Sequence, residues 1–185
     1  MKTMTPLRTE TTADEVVAFW RTAGAARWFA KDHEFDARFR DGFIAAHWAA
    51  ARRERDDWAR SAYGSLALLI LLDQFPRNCF RGSAHMYATD PLARHFARRA
   101  LAAGHDMQIE SALRAFCYLP FMHSEEMPDQ DLALRLHLQM GENEHAMRHR
   151  DIVRRFGRFP HRNQMLGRET TVEETAFLEG GGFKG

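Results

Sequence analysis

Lysine is almost absent from this sequence: of its 26 basic residues only Lys2, Lys31 and Lys184 are lysines. Arginine supplies the rest and suits bidentate pairing with carboxylate or phosphate, but a GC-rich genome gives the same bias, so the excess alone marks no site. A surplus of either charge is missing too, since 26 basic residues face 25 acidic ones and leave a formal charge of +1. Nucleic-acid binders usually carry a clear basic excess, so this balance argues against a polyanion as the main partner. Cysteine is limited to Cys79 and Cys117. Both lie in apolar surroundings without CxxC spacing and read as reduced packing residues of a cytoplasmic protein, with a catalytic thiol at Cys117 near His123 as the alternative. The start, MKTMTPLRTETTADE, has no apolar segment and is not a secretory signal. No apolar run approaches the roughly 20 residues of a membrane span. Glycine forms neither GxGxxG nor a P-loop, and GxSxG and HExxH do not occur. Valine and isoleucine are scarce and nothing alternates apolar with polar residues, so no sheet is expected.

What the sequence does contain is helical periodicity. Its 185 residues suit one domain, 1–185, with flexible ends at about 1–11 and 180–185. Thr12 and Glu15 make a capping box ahead of Val16, Val17, Phe19 and Trp20, and Gly24 ends that helix. Asp32 caps a second helix carrying Phe35, Phe39 and Phe43 inward as far as about Arg55. From Leu66 to Leu72 every residue is apolar, which predicts the central element of the core; Pro76 places its end near Phe75. Further helices are expected from Asp90 to Gly104, from Asp106 to the residues before Pro120, from Gln130 to Met140 and from Glu142 to Phe156. Thr171 with Glu174 forms a second capping box. Roughly seven or eight helices with short loops predict an all-α fold of antiparallel pairs, as a bundle or a short superhelix.

Four polar clusters interrupt this apolar scheme, three of them where a helix stops at a proline–aromatic step. They are Asp73–Asn78, Pro120–Glu126, the pair His145 and His149 with Asp151, and Gly157–Asn163. Each can be a helix stop whose polar groups satisfy nearby backbone. Taken together, they predict a pocket between helices in which Asp73, Arg77, Asn78, His123, Glu125, His149, Arg158, His161, Arg162 and Asn163 hold an anionic small molecule. An enzyme built on it would use His123 or His161 as proton carrier and Asp73 or Glu125 as the orienting acid. His145 and His149 have the i, i+4 spacing of two metal ligands, but they flank the inward stripe of their helix, so the reading is no metal site with that pair as the candidate. The sequence names no cofactor. A second class of reading is a scaffold whose concave helical face takes a peptide or protein. A third is a homodimer interface using Trp20, Trp28, Trp48 and Trp58.

LLDQFPRNCFRG, YLPFMHSEE and RFGRFPHRNQMLGRETTVEETAFL resemble the signature blocks of the bacterial domain-of-unknown-function family number 924, and the likeness runs from about Val16 to Phe183. It implies a tetratricopeptide-repeat-like all-α superhelical fold and no particular activity. Cys79 and the Glu169-Thr170-Thr171 step depart from the family pattern in ways that touch local packing and the cap.

Overall fold

Thr12 and Thr171 each cap a helix in the reciprocal manner their spacing predicts: the hydroxyl accepts from the glutamate N–H, and the glutamate carboxylate accepts from the threonine N–H. The computed structural model of the chain describes residues 10–141 and 144–183. Residues 1–9 and 184–185, in the stretches expected to be flexible, and Glu142, expected to open the last long helix, lie outside the described residues.

Among the described residues eleven α-helical segments follow one another and no strand occurs: α1 (Ala13–Ala23), α2 (Ala25–Trp28), α3 (His33–Ala51), α4 (Ala62–Leu69), α5 (Phe75–Cys79), α6 (Asp90–Ala102), α7 (Ser111–Arg114), α8 (Leu119–Met122), α9 (Met127–Gln139), α10 (Glu144–Phe156) and α11 (Val172–Glu179). The fold is all-α, with more helices than the expected seven or eight because α2 forms in the expected linking turn, a π turn divides the central helix into α4 and α5, and the helix expected after Asp106 becomes α7 and α8. α3 stops at Ala51 rather than Arg55, as Arg53 turns left-handed (φ 65°) with its guanidinium on Asp56. The helix expected after Asp106 is split by Ile109, whose extended backbone (φ −94°, ψ 139°) separates a 3₁₀ turn from α7. α9 starts at Met127, three residues before the expected Gln130, because Pro128 suits its first turn.

The central element does not end near Phe75. It passes from α4 through one π-helical turn, Ile70–Gln74, directly into α5. In that turn the Phe75 N–H reaches back five residues to the Ile70 carbonyl. Pro76 has no N–H, so it can serve neither the Leu71 carbonyl by the π pattern nor the Leu72 carbonyl by the α pattern. Side chains take its place. The Leu71 carbonyl lies 2.9 Å from His47 Nδ1, the Leu72 carbonyl accepts from Thr89 Oγ1 (2.5 Å), and the Asp73 carbonyl accepts from Arg77 Nη1 (2.8 Å). The extra residue of the turn carries Asp73 and Gln74 inward on a helix whose neighbours are all buried. One proline thus explains both the irregular turn and the polar side chains that crowd around it.

α1, α3 and α6 pack around α4 and its π turn, and α8 packs against α6 and α9, burying Trp20, Phe35, Phe39, Phe75, Phe96, Phe116 and Phe121 almost completely. α9 and α10, joined across Gly141, lie side by side. A second, smaller apolar cluster of Ile152, Val153 and Phe159 is flanked by Phe156, Phe177 and Phe183. The polar cluster described next spans the seam between these two cores.

Candidate functional site

Asp73 is the anchor, 1% exposed on the π turn. Its carboxylate receives Gln74 Nε2 at 2.6 Å, lies 3.1 Å from Arg77 Nη1, and faces His123 Nδ1 at 2.8 and 3.1 Å. Arg77 also makes a bidentate pair with Asp90 (2.9 and 3.0 Å), the first residue of α6. Arg162, on the 3₁₀ turn Pro160–Arg162, comes at Asp90 from the other side (3.5 Å) and donates to the main-chain carbonyl of His123 (2.9 Å). Its guanidinium is stacked between Tyr87 and Phe159, 4.5 Å from each ring centroid. Asp73, His123, Arg162, Asp90 and Arg77 therefore close a ring of contacts.

Two further histidines adjoin it. The His149 ring centroid is 6.4 Å from that of His123, and its Nδ1 lies 2.8 Å from the His145 carbonyl one turn back along α10. Phe159 packs edge-on against His149 (5.5 Å) and lies beside His161 (5.7 Å). Phe183 returns from beyond α11 to lie against both rings, at 4.7 Å and 5.2 Å.

The electrostatics follow from this enclosure. Burial alone pushes the Asp73 carboxyl up, but Arg77, His123 and Gln74 outweigh it and hold the group well below the usual carboxylate range, so it is ionised. Burial, then the positive charge of Arg77, lowers His123 despite the opposing pull of Asp73. A neutral His123 facing a carboxylate carries its proton on Nδ1 and leaves a lone pair on Nε2. Burial lowers His149 to about 3, with help from His123, and lowers His161 to about 3, with help from Arg162. His149 is neutral at pH 7 and, with Nδ1 donating to a carbonyl, also has its lone pair on Nε2. Arg162 is itself lowered to about 10, first by burial and then by Arg77. It remains charged, in a place where positive charge is only partly compensated.

Of the ten residues expected to form the site, six are brought together: Asp73, Arg77, His123, His149, His161 and Arg162. Four are placed elsewhere. Asn78 donates to Asp36 Oδ1 (2.8 Å), whose other oxygen takes Arg81 Nε (3.0 Å), and so ties α5 to α3. Glu125 is held by Arg168 in a bidentate pair (2.7 and 2.9 Å) and accepts the Phe159 N–H (2.8 Å), which clamps the loop that presents His161 and Arg162. Arg158 grips Glu174 with two bonds (2.7 and 2.9 Å), and Asn163 donates to the same carboxylate (3.1 Å), so both fasten α11. His145 is exposed on α10 while His149 is turned inward. Among the described residues no three or more His, Cys, Asp or Glu side chains are grouped to hold a metal ion. Cys117 is buried, and burial pushes its thiol up to about 12, as expected of a packing residue.

Sequence reasoning missed Asp90, Tyr87, Phe159 and Phe183. Asp90 was visible only as a helix start before Pro91, and Tyr87 sits in a stretch without periodicity. An open groove of about 390 Å³, lined by Arg148, Asp151, Ile152, Arg155, Phe156 and Phe177, lies on α10 and α11 and includes none of the cluster's acids or histidines.

Fold and site define an all-helical protein built around a buried carboxylate–histidine–arginine ring. The chain belongs to DUF924, a bacterial family of unknown function, whose model matches residues 16–182. It is similar to the solved structure of a protein of unknown function from Agrobacterium tumefaciens, with 57% identity and a TM-score of 0.89 over 91% of this chain and 97% of that one. No curated protein matches the chain. Among the described residues no helix is long and apolar enough to cross a membrane.

Proposed function

We propose that the Asp73–His123–Arg162 cluster binds a small anionic molecule, with Arg162 and His161 as its direct partners. The observation that carries this reading is a run of orphans on three consecutive residues: His161 Nδ1, Arg162 Nε and Asn163 Oδ1 are buried and have no hydrogen-bond partner among the described residues, and the first two are the groups an anion can satisfy. Arg162 is only 6% exposed, and a buried donor left without an acceptor costs about 1–3 kcal/mol. Retaining such groups on consecutive residues, with an incompletely neutralised guanidinium among them, is what a site for a carboxylate or phosphate oxygen requires. The rest of the ring fixes them. Tyr87, Phe159 and the His123 carbonyl leave Arg162 little freedom, and Asp73 sets the tautomer of His123.

His123 Nε2 gives the same cluster a second reading as an acid–base site. A neutral imidazole oriented by a buried carboxylate can accept a proton from a bound hydroxyl or water, and Asp73 then acts as the positioning residue. Binding comes first in either case. A panel of small carboxylates and phosphates titrated into the protein by calorimetry tests it. Saturable binding that is lost in His161→Gln and Arg162→Gln supports the proposal, and binding unaffected by both overturns it.

A further inference from the structure

Phe183 is a half-buried ring in a place made of polar side chains. It meets His149 and His161 edge to face, with interplanar angles of 63° and 88°, and the Arg148 guanidinium lies over it 5.2 Å from the ring centroid. The ring is delivered there by glycines. Gly181 is left-handed (φ 85°), and a Cβ on Gly182 would stand 2.4 Å from the Phe177 carbonyl oxygen, so the chain turns back only because position 182 has no side chain. The Gly182 N–H donates to the Phe177 carbonyl (2.9 Å) and sets the turn. Phe183 packs against the small apolar cluster of Ile152, Val153 and Phe159, while its ring contacts outside that cluster are two histidines and an arginine. Such surroundings suit a planar ring of any origin: two imidazoles meet it in tilted, T-shaped contacts and a cation lies over its π face.

We propose that the slot holding Phe183 is the ring subsite of the anion site, and that its ligand carries an aromatic ring beside a carboxylate or phosphate and displaces Phe183 on binding. This inference rests on the anion-binding reading and adds the ligand's second half. His161 joins the two halves, since it is both the wall of the ring slot and the owner of the orphan Nδ1. An aliphatic anion fills one half and leaves Phe183 in place. An aryl anion fills both, at the expense of lifting the Gly180–Phe183 turn, and its apparent affinity is reduced by the fraction of molecules in which the ring is seated.

Calorimetric titration of the whole chain with phenylacetate and phenylphosphonate, against acetate and inorganic phosphate, tests this. Phe183→Ala empties the slot, and Gly182→Ala keeps the phenyl ring but forces the turn away from Phe177. If the ring is seated in about nine molecules of ten, both variants bind the aryl anions about tenfold more tightly than the unaltered protein, with little change for acetate or phosphate. Arg162→Gln or His161→Gln then removes binding of all four. Two results overturn the inference, and they differ. If all anions bind through Arg162 but neither slot variant changes the preference for aryl over aliphatic ones, the ring subsite is wrong and the anion site stands. If no anion binds to any form, both fail. Far-ultraviolet circular dichroism of each variant shows whether it remains folded.

Discussion

Arg162 donates to the main-chain carbonyl of His123 at 2.9 Å, while the His123 side chain faces Asp73 at 2.8 Å. A residue near the end of the fold and a residue of the central π turn are thereby joined through one histidine, from its two sides. Each link alone is ordinary. Together they make the position of the arginine depend on the helix that carries the aspartate.

Removing one partner of this ring exposes its cost. Asp90 compensates both Arg77 and Arg162, so Asp90→Asn leaves two buried guanidinium groups short of charge. The expected loss is about 3–5 kcal/mol of unfolding free energy. Urea denaturation measures it, and the double variant Asp90→Asn/Arg162→Met should recover part of the loss because it deletes one stranded cation without depriving Asp73 of Arg77.

Thr89 holds the π turn from outside. Thr89→Val keeps the shape but leaves the Leu72 carbonyl without the hydroxyl that stands in for the missing Pro76 N–H. A destabilisation of about 1–3 kcal/mol is expected, and the same change has a smaller effect in a Pro76→Ala background, where residue 76 can donate. Equal losses in the two backgrounds would mean that the proline does not create the need.

Acid should unfold this protein earlier than its ion pairs alone suggest. His149 and His161 fall from 6.5 in the unfolded chain to about 3 in the fold. The unfolded state therefore binds the extra protons, and the stability contributed by each neutral histidine is complete above about pH 6.5 and lost as pH falls towards 3. Each adds a slope of about 1.4 kcal/mol per pH unit within that window. His149→Gln should flatten the measured dependence of unfolding free energy on pH between 6 and 4 by about one such increment; an unchanged slope would show that His149 titrates normally in the fold.

Ligand binding and stability should separate at the two proposed proton carriers. His161→Ala removes a group with an unpartnered Nδ1 atom, and His123→Ala spares the backbone carbonyl that Arg162 uses. Both variants are expected to lose anion binding; in His161→Ala the melting temperature moves by only a few degrees, about 1 kcal/mol, whereas His123→Ala lowers it further because it takes a partner from the buried Asp73 carboxylate. Unaltered binding in both variants, whatever the melting temperature, would assign these histidines to structure alone.

Much of this molecule can be read from sequence where local chemistry decides. Thr12 with Glu15 and Thr171 with Glu174 cap helices whatever surrounds them, and the apolar run Leu66–Leu72 has to be buried. Pro76 misleads, because proline disfavours helix at the residue before it, yet long-range donors from His47 and Thr89 carry the helix through. The candidate site was legible as a set of polar helix ends but not as a partition. Glu125, Arg158 and Asn163 resemble the six convergent residues in type and spacing. They differ only in finding Arg168 and Glu174, which are pairings across the fold that no sequence interval encodes. Phe183 escaped because a ring after three glycines reads as an unstructured end; its place depends on a single missing Cβ at Gly182.

The central claim is that Arg162 Nε and His161 Nδ1 receive an anion. Nitrogen-detected magnetic resonance of the arginine Nε–H and histidine ring resonances during titration with phenylacetate or phosphate tests it most directly. The account predicts saturable shifts at Arg162 Nε and His161 Nδ1, with Asp73-bound His123 Nδ1 little changed. Shifts confined to the exposed arginines of α10, with Arg162 and His161 unmoved at saturation, would contradict it.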